Sequence, residues 1–145
     1  MQGVRSYQKI RWAKEDALPE IVRLTEDEKY FAAFRLARQA EKYIRGDPKL
    51  VELWSKIGQR VDIETVPEGA EIFYKEYSAV GEPWVHLGIS PLNGVLVPRG
   101  YKRRLIRKPG YAEVERTDLS ATVAPISRLH IQTNSIDGVA SQKGV

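Results

Sequence analysis

The sequence has no cysteine in 145 residues and only two histidines, His86 and His130. The absence of cysteine excludes disulfides, thiolate zinc sites and cysteine nucleophiles, and it leaves the redox compartment undetermined. Neither histidine has the spacing to carboxylates that a metal site or a catalytic triad requires, so structural roles are favoured for both. We therefore expect a protein that is not an enzyme and that holds no metal or cofactor.

Catalytic motifs are missing as well. The sequence has no phosphate-binding glycine loop, no HExxH, no GxSxG and no kinase motif. Asp62 and Glu64 could form a carboxylate pair on one face of a strand, but carboxylates opposite an apolar face are normally solvated. A division into acid and base would need a buried environment, so the pattern favours solvated side chains.

Long apolar runs and a strong charge of one sign are also lacking. No run approaches the roughly 18 to 20 apolar residues of a membrane span. The first residues, MQGVRSYQKIRWAKEDALPE, lack the apolar centre of a secretory signal, so we expect a soluble chain without an export signal of its own. The 23 basic and 19 acidic residues give a net charge of +4, spread along the chain, which argues against a general nucleic-acid binder.

The composition changes near Gly58. Apolar residues make up 42% of the chain, enough to bury a core, and alanines and helix-forming charged residues dominate before Gly58. Prolines, glycines and strand-like alternation dominate after it. The sequence therefore predicts an α+β protein with a helical region over 1–58 and a small antiparallel β-sandwich or barrel over 59–120; the sandwich is the form that the family resemblance described below implies. The segment 121–145 is expected to be a flexible tail that could add a last strand over 126–133.

The helical region carries several boundary signals. Asp47-Pro48 predicts an N-cap and the first residue of a short helix that ends at Gly58. Thr25 and Glu28 fit a capping box at the start of the helix that carries Tyr30, Ala33 and Phe34. Pro19 predicts a kink or a fresh start farther upstream. The pattern Tyr30-x-x-Ala33-Phe34 with the later Asp47-Pro48-x-Leu50 resembles a tetratricopeptide helical hairpin, the fold that we expect here.

Alternating runs separated by Pro/Gly turns predict short strands in the second region. The Pro67-Glu68-Gly69-Ala70 segment has the chemistry of a tight reversal and predicts a hairpin between the first two strands. Lys108-Pro109-Gly110-Tyr111 predicts a second hairpin turn. The strands are predicted at 61–66, 71–77, 84–87, 95–97, 101–107 and 111–116.

Four blocks between Val61 and Tyr111 resemble a PEGA domain, a small bacterial β-sandwich module. The helices ahead of them are similar to those that precede PEGA domains in large bacterial proteins carrying Ser/Thr kinase or other catalytic domains. This chain has no such catalytic domain, so the resemblance implies an accessory region, and it allows a setting outside the cytoplasm. The blocks are Val61-x-Ile63-x-Thr65-x-Pro67-x-Gly69-Ala70-x-Ile72, Leu87-Gly88-x-Ser90-Pro91-Leu92, Val97-Pro98-x-Gly100 and Lys108-Pro109-Gly110-Tyr111.

Four side chains are candidates for an interaction surface: Arg103, Arg104, Trp84 and Tyr77. The cations could contact phosphates or acidic groups and the aromatic rings could stack on a ligand. The structural alternative is that the cations project into water and protect a sheet edge while Trp84 packs in the core.

These observations lead to a main hypothesis, an alternative and a third hypothesis. The main hypothesis is a non-catalytic accessory module, a spacer or interaction domain that binds a protein partner or a cell-envelope polymer. The alternative is the regulatory region of a bacterial signalling enzyme such as a Ser/Thr protein kinase, truncated or acting in trans. Binding of nucleic acid through the basic strand is a third, less favoured hypothesis, and it predicts a steep loss of affinity with salt.

Overall fold

The computed structural model describes residues 2–118 and 127–132 of the chain. Helices precede strands, which confirms the predicted α+β class. The helices are α1 (Gln2–Trp12), a π-helical segment (Ala13–Ala17), α2 (Leu18–Glu26), α3 (Tyr30–Ile44) and α4 (Pro48–Ile57). The strands are β1 (Gly58–Val66), β2 (Glu71–Glu76), β3 (Val85–Ile89), β4 (Leu92–Pro98), β5 (Lys102–Arg107), β6 (Val114–Asp118) and β7 (Ser127–Gln132).

The chain divides into two compact units. One, here called the helical unit, comprises Met1–Gln59 together with Val97–Arg99. The other, the strand unit, comprises Arg60–Leu96 and Gly100–Val145.

A π-helical turn accommodates Pro19 in the first long helix. The segment Ala13–Ala17 joins α1 to α2, and the Leu18 N–H donates to the Ala13 carbonyl, five residues back. Proline has no N–H to donate and its ring clashes with the carbonyl four residues back, so the regular α-helical hydrogen-bond pattern cannot continue through Pro19. The helix therefore neither stops nor restarts at Pro19 but changes its hydrogen-bond pattern just before it.

The capping box predicted at Thr25 is wrong. Thr25 lies inside α2, where its hydroxyl donates to the Ile21 carbonyl at 2.6 Å. The Glu28 N–H donates to the Thr25 carbonyl at 3.1 Å, and Glu28 has a left-handed φ of 58°. The segment that was expected to begin α3 therefore ends α2, because its backbone N–H groups donate to the last carbonyls of α2. The next helix begins at Tyr30 without a side-chain cap.

The cap predicted at Asp47 is confirmed. The Asp47 carboxylate accepts from the Lys49 N–H at 2.9 Å and from the Leu50 N–H at 3.2 Å, and Pro48 is the first residue of α4. Gly58 follows the last residue of α4, as the sequence predicts. The buried apolar residues of the helical unit form one cluster: Ala13, Ala17, Leu18, Ile21, Leu24, Ala33, Ala37, Ala40, Ile44, Leu50, Leu53 and Ile57.

The strands form two sheets, ordered β4-β1-β7 and β3-β2-β5-β6. The second is antiparallel at each of its pairings, whereas β7 runs parallel to β1. This last strand lies within the segment 126–133 in which the sequence could place one. Because β1 and β2 belong to different sheets, the hairpin predicted through Pro67-Glu68-Gly69-Ala70 is wrong: this segment carries the chain from one sheet to the other.

The crossing between the sheets is fixed by contacts with Ser90. The Gly69 N–H donates to the Ser90 carbonyl at 3.0 Å, and Gly69 has a φ of 87°, which glycine adopts at no steric cost. The Ser90 hydroxyl accepts from the Ala70 N–H at 3.0 Å and lies 2.5 Å from the Thr65 hydroxyl. The turn chemistry of this segment therefore serves a crossover rather than a hairpin.

The hairpin predicted at Lys108 is confirmed. The Tyr111 N–H donates to the Lys108 carbonyl at 3.0 Å, and Gly110 has a φ of 85°. This turn connects β5 to β6, which pair antiparallel. It fixes the register that places Arg103 and Leu105 opposite residues of β6.

Candidate interaction surface

The register of the four-stranded sheet places Phe73, Lys75, Arg103 and Arg107 on one face. Phe73 pairs with Leu105 and Lys75 with Arg103, and side chains two residues apart on a strand point to the same side. We call the set Phe73, Lys75, Trp84, Arg103 and Arg107 the aromatic–cationic face. The opposite face of the sheet carries Ile72, Tyr74, Arg104 and Ile106, all of them buried.

Two cations hold the Trp84 ring. The Lys75 ammonium lies 4.5 Å from the ring centroid and the Arg103 guanidinium carbon 5.6 Å from it. Each such contact stabilises by about 0.5–1 kcal/mol when it is exposed to water. The indole is half-buried, so part of it remains open to a partner while the cations fix its position.

A second cluster extends the face around Phe73. The Arg107 guanidinium carbon lies 5.4 Å from the Phe73 centroid, and the His86 ring packs at 5.0 Å with an interplanar angle of 59°. Phe73 is half-buried, and His86 and Arg107 are exposed. The two clusters share β2 and β5, so they form one continuous surface.

Glutamates offset the charge of this face. The Arg103 Nε donates to Glu115 at 2.7 Å, and the Arg107 Nε donates to Glu113 at 2.8 Å. Both glutamates lie next to β5, in or just before β6, and are exposed. Arg103 and Arg107 therefore act as locally paired groups, and they do not build the positive field that a polyanion requires.

The structure places the four residues predicted for the surface in different environments. Trp84 and Arg103 come together as described. Arg104 is wrong as a surface residue, because it is only 2% exposed and adjacent residues of a strand point to opposite faces. Tyr77 lies just after β2 and is 51% exposed, and its N–H donates to the Tyr101 carbonyl. Its ring makes no contact with the rings of the two clusters within the described part of the chain.

Sequence reasoning missed Lys75 and Arg107 as members of this surface. Lys75 carries no motif of its own and acquires a role only because β2 pairs with β5 in a register that places it opposite Arg103. For Arg107, the alternation of positions 103, 105 and 107 along β5 was the available signal for its face.

Over 2–118 and 127–132, no group of three or more His, Asp or Glu side chains is arranged to hold a metal ion. No helix in those ranges is both long and apolar enough to cross a bilayer.

Comparisons with protein-family models, with curated proteins and with solved structures give no match to this chain. The resemblance to PEGA domains and to a tetratricopeptide hairpin therefore stays a prediction from the quoted residues.

Proposed function

We propose that the chain is a non-catalytic accessory module that binds a protein partner through the aromatic–cationic face. The observation that carries this proposal is the Trp84 ring, half-exposed and held between Lys75 and Arg103. Tryptophan and arginine are the residues most enriched among those that dominate the energy of protein interfaces. A ring that is already positioned loses little conformational entropy when a partner covers it.

A protein partner is favoured over a charged polymer because two of the three cations on the face, Arg103 and Arg107, are paired with glutamates. Glu113 and Glu115 neutralise Arg107 and Arg103, so a polyanion would have to displace them. A protein surface can instead cover the aromatic rings and leave the ion pairs at the rim, where solvent-exposed charges contribute mainly to specificity. The resemblance of the two regions to a tetratricopeptide hairpin and a PEGA domain implies an accessory role beside a larger bacterial enzyme, which supports the proposal.

The test is affinity capture with the whole chain and three variants. Immobilised wild type, Trp84→Ala, Arg103→Glu and Arg116→Glu are incubated with native lysate and envelope fractions, and captured proteins are quantified by mass spectrometry. Arg116 is the matched control, because it pairs in register with Arg104 on the other face of the same sheet and is exposed. It undergoes the same change of charge as Arg103.

We expect Trp84→Ala to reduce capture of the partner by about tenfold or more, the size of a hot-spot truncation. Arg103→Glu should reduce it too, because it removes one of the two cations that position the ring and leaves two glutamates facing each other. Arg116→Glu should capture the same protein as wild type. Equal capture by all four chains would contradict the proposal.

A further inference from the structure

A second surface lies in the helical unit, in a groove between α1 and α3. Its volume is about 540 Å³, within the range of about 300 to 1,000 Å³ that ligand sites occupy. Trp12 and Tyr43 line it, with ring centroids 6.3 Å apart and planes at 82°. Both rings pack against the buried cluster of the helical unit, so they form a fixed apolar wall.

Three cations surround these rings. Arg5 and Lys9 come from α1 and Lys42 from α3, and all three are exposed. The Lys9 ammonium lies 5.4 Å from the Tyr43 centroid. Arg5, Lys9 and Trp12 recur at helical spacing, which places them on one side of α1. None of the groove's lining residues is acidic. The groove is therefore positive on both walls, in contrast to the aromatic–cationic face, where glutamates pair Arg103 and Arg107.

The remaining polar groups of the groove are amides. Gln8 comes from α1 and Gln39 from α3, and both line the groove and are exposed. A carboxamide both donates and accepts hydrogen bonds, and an extended peptide backbone offers both kinds of partner. A phosphate backbone offers only acceptors and would use the amides incompletely. The combination of cations, amides and an apolar wall matches a peptide with carboxylate side chains better than a nucleic acid.

From this arrangement we propose that the groove binds an acidic segment of a partner protein in extended form. Carboxylates of the segment pair with Arg5, Lys9 and Lys42, and its apolar side chains cover the rings of Trp12 and Tyr43. This site is separate from the aromatic–cationic face, and its existence does not depend on the function proposed for that face.

Selection from a phage-displayed library of random dodecapeptides tests the proposal without knowledge of the natural partner. The baits are the whole wild-type chain, Lys9→Glu, Lys42→Glu and Lys14→Glu. Lys14 is the matched control, because it is an exposed lysine in the neighbouring π-helical segment and does not line the groove. Far-UV circular dichroism verifies that each variant keeps its helices. The best selected peptide is then measured by fluorescence anisotropy against each chain.

We expect wild type and Lys14→Glu to enrich acidic peptides that also contain apolar residues. Lys9→Glu and Lys42→Glu should each weaken the best peptide by about tenfold or more, since each variant replaces an attractive charge by a repulsive one. The Trp84→Ala variant should bind that peptide like wild type, which separates this site from the aromatic–cationic face. Failure to enrich acidic peptides, or an equal loss in Lys14→Glu, would overturn the proposal. Binding of a 20-nucleotide single-stranded DNA that is tighter than that of the peptide and lost in Lys9→Glu would also overturn it, in favour of nucleic acid.

Discussion

Replacing Ser90 by alanine is expected to lower the free energy of unfolding of the strand unit by about 2 kcal/mol. Ser90 is 4% exposed, and its hydroxyl lies at the centre of a short hydrogen-bond chain. The Ala70 N–H donates to Ser90, and the Thr65 hydroxyl donates to the Pro67 carbonyl at 2.7 Å. Because that carbonyl can only accept, the single Thr65 proton goes to it, and Ser90 donates its own proton to Thr65.

The loss is large because the groups left behind are buried. Ala70 is 0% exposed, so its N–H cannot recover a partner from water when the Ser90 hydroxyl is removed. An unpaired buried donor costs about 1–3 kcal/mol. The backbone bonds between Ser90 and Gly69 and between Ser90 and Ala70 remain, so the fold should persist with lower stability.

Urea unfolding followed by the NMR amide signals of β2 and β5 measures this change for the strand unit alone. Ser78→Ala is the control: Ser78 is exposed, and its carbonyl, which accepts from the Val80 N–H, is kept. It should change the free energy by less than about 0.5 kcal/mol. A Ser90→Ala chain as stable as Ser78→Ala would show that Ser90 does not fix the crossover.

Replacing Ile72 by alanine is expected to lower the free energy of unfolding of the strand unit by about 3 kcal/mol. Ile72 is 0% exposed in β2, between β3 and β5, and its register partner Ile106 is also 0% exposed. Removing its outer carbons loses burial and leaves a cavity that neighbouring strands cannot fill without breaking their hydrogen bonds.

Ile89→Ala is the matched control for Ile72→Ala. Ile89 lies on β3 of the same sheet and is 56% exposed, so the same deletion should cost less than about 1 kcal/mol. The same NMR-monitored urea titration compares both variants. Similar losses for the two isoleucines would contradict the assignment of buried and exposed faces in this sheet.

Local signals in the sequence predicted much of the fold. Three predicted features depend on residues within a few positions of one another, so a short stretch of sequence is enough to predict each of them. They are the Asp47 cap, the end of α4 at Gly58 and the Lys108 hairpin. The crossover through Pro67-Glu68-Gly69-Ala70 depends instead on Ser90, which is 20 residues from Ala70 and 25 from Thr65. The alternation of apolar and polar residues identifies the two faces of a strand but not the strand with which it pairs. A hairpin between the first two strands was therefore predicted from their adjacency in the sequence alone.

The candidate surface was predictable to a similar degree. Trp84 and Arg103 could be selected because of their chemistry, but their contact required the pairing of β2 with β5. The inclusion of Arg104 was avoidable, since its position next to Arg103 in a strand already placed it on the other face. The groove between α1 and α3 could not be foreseen without the packing of the two helices, because Lys42 lies more than thirty residues after Arg5 and Lys9 in the sequence.

Photo-crosslinking from the two faces of the β3-β2-β5-β6 sheet tests whether a protein partner covers the aromatic–cationic face. Photoreactive benzoylphenylalanine replaces His86, which lies in the aromatic–cationic face with half of its side chain exposed, or Arg116, which lies on the opposite face. Each whole chain is irradiated in native lysate and envelope fractions, and adducts are detected by mass shift. We expect a protein adduct from position 86 and none from position 116. The absence of an adduct from position 86, or equal adducts from both positions, would contradict it.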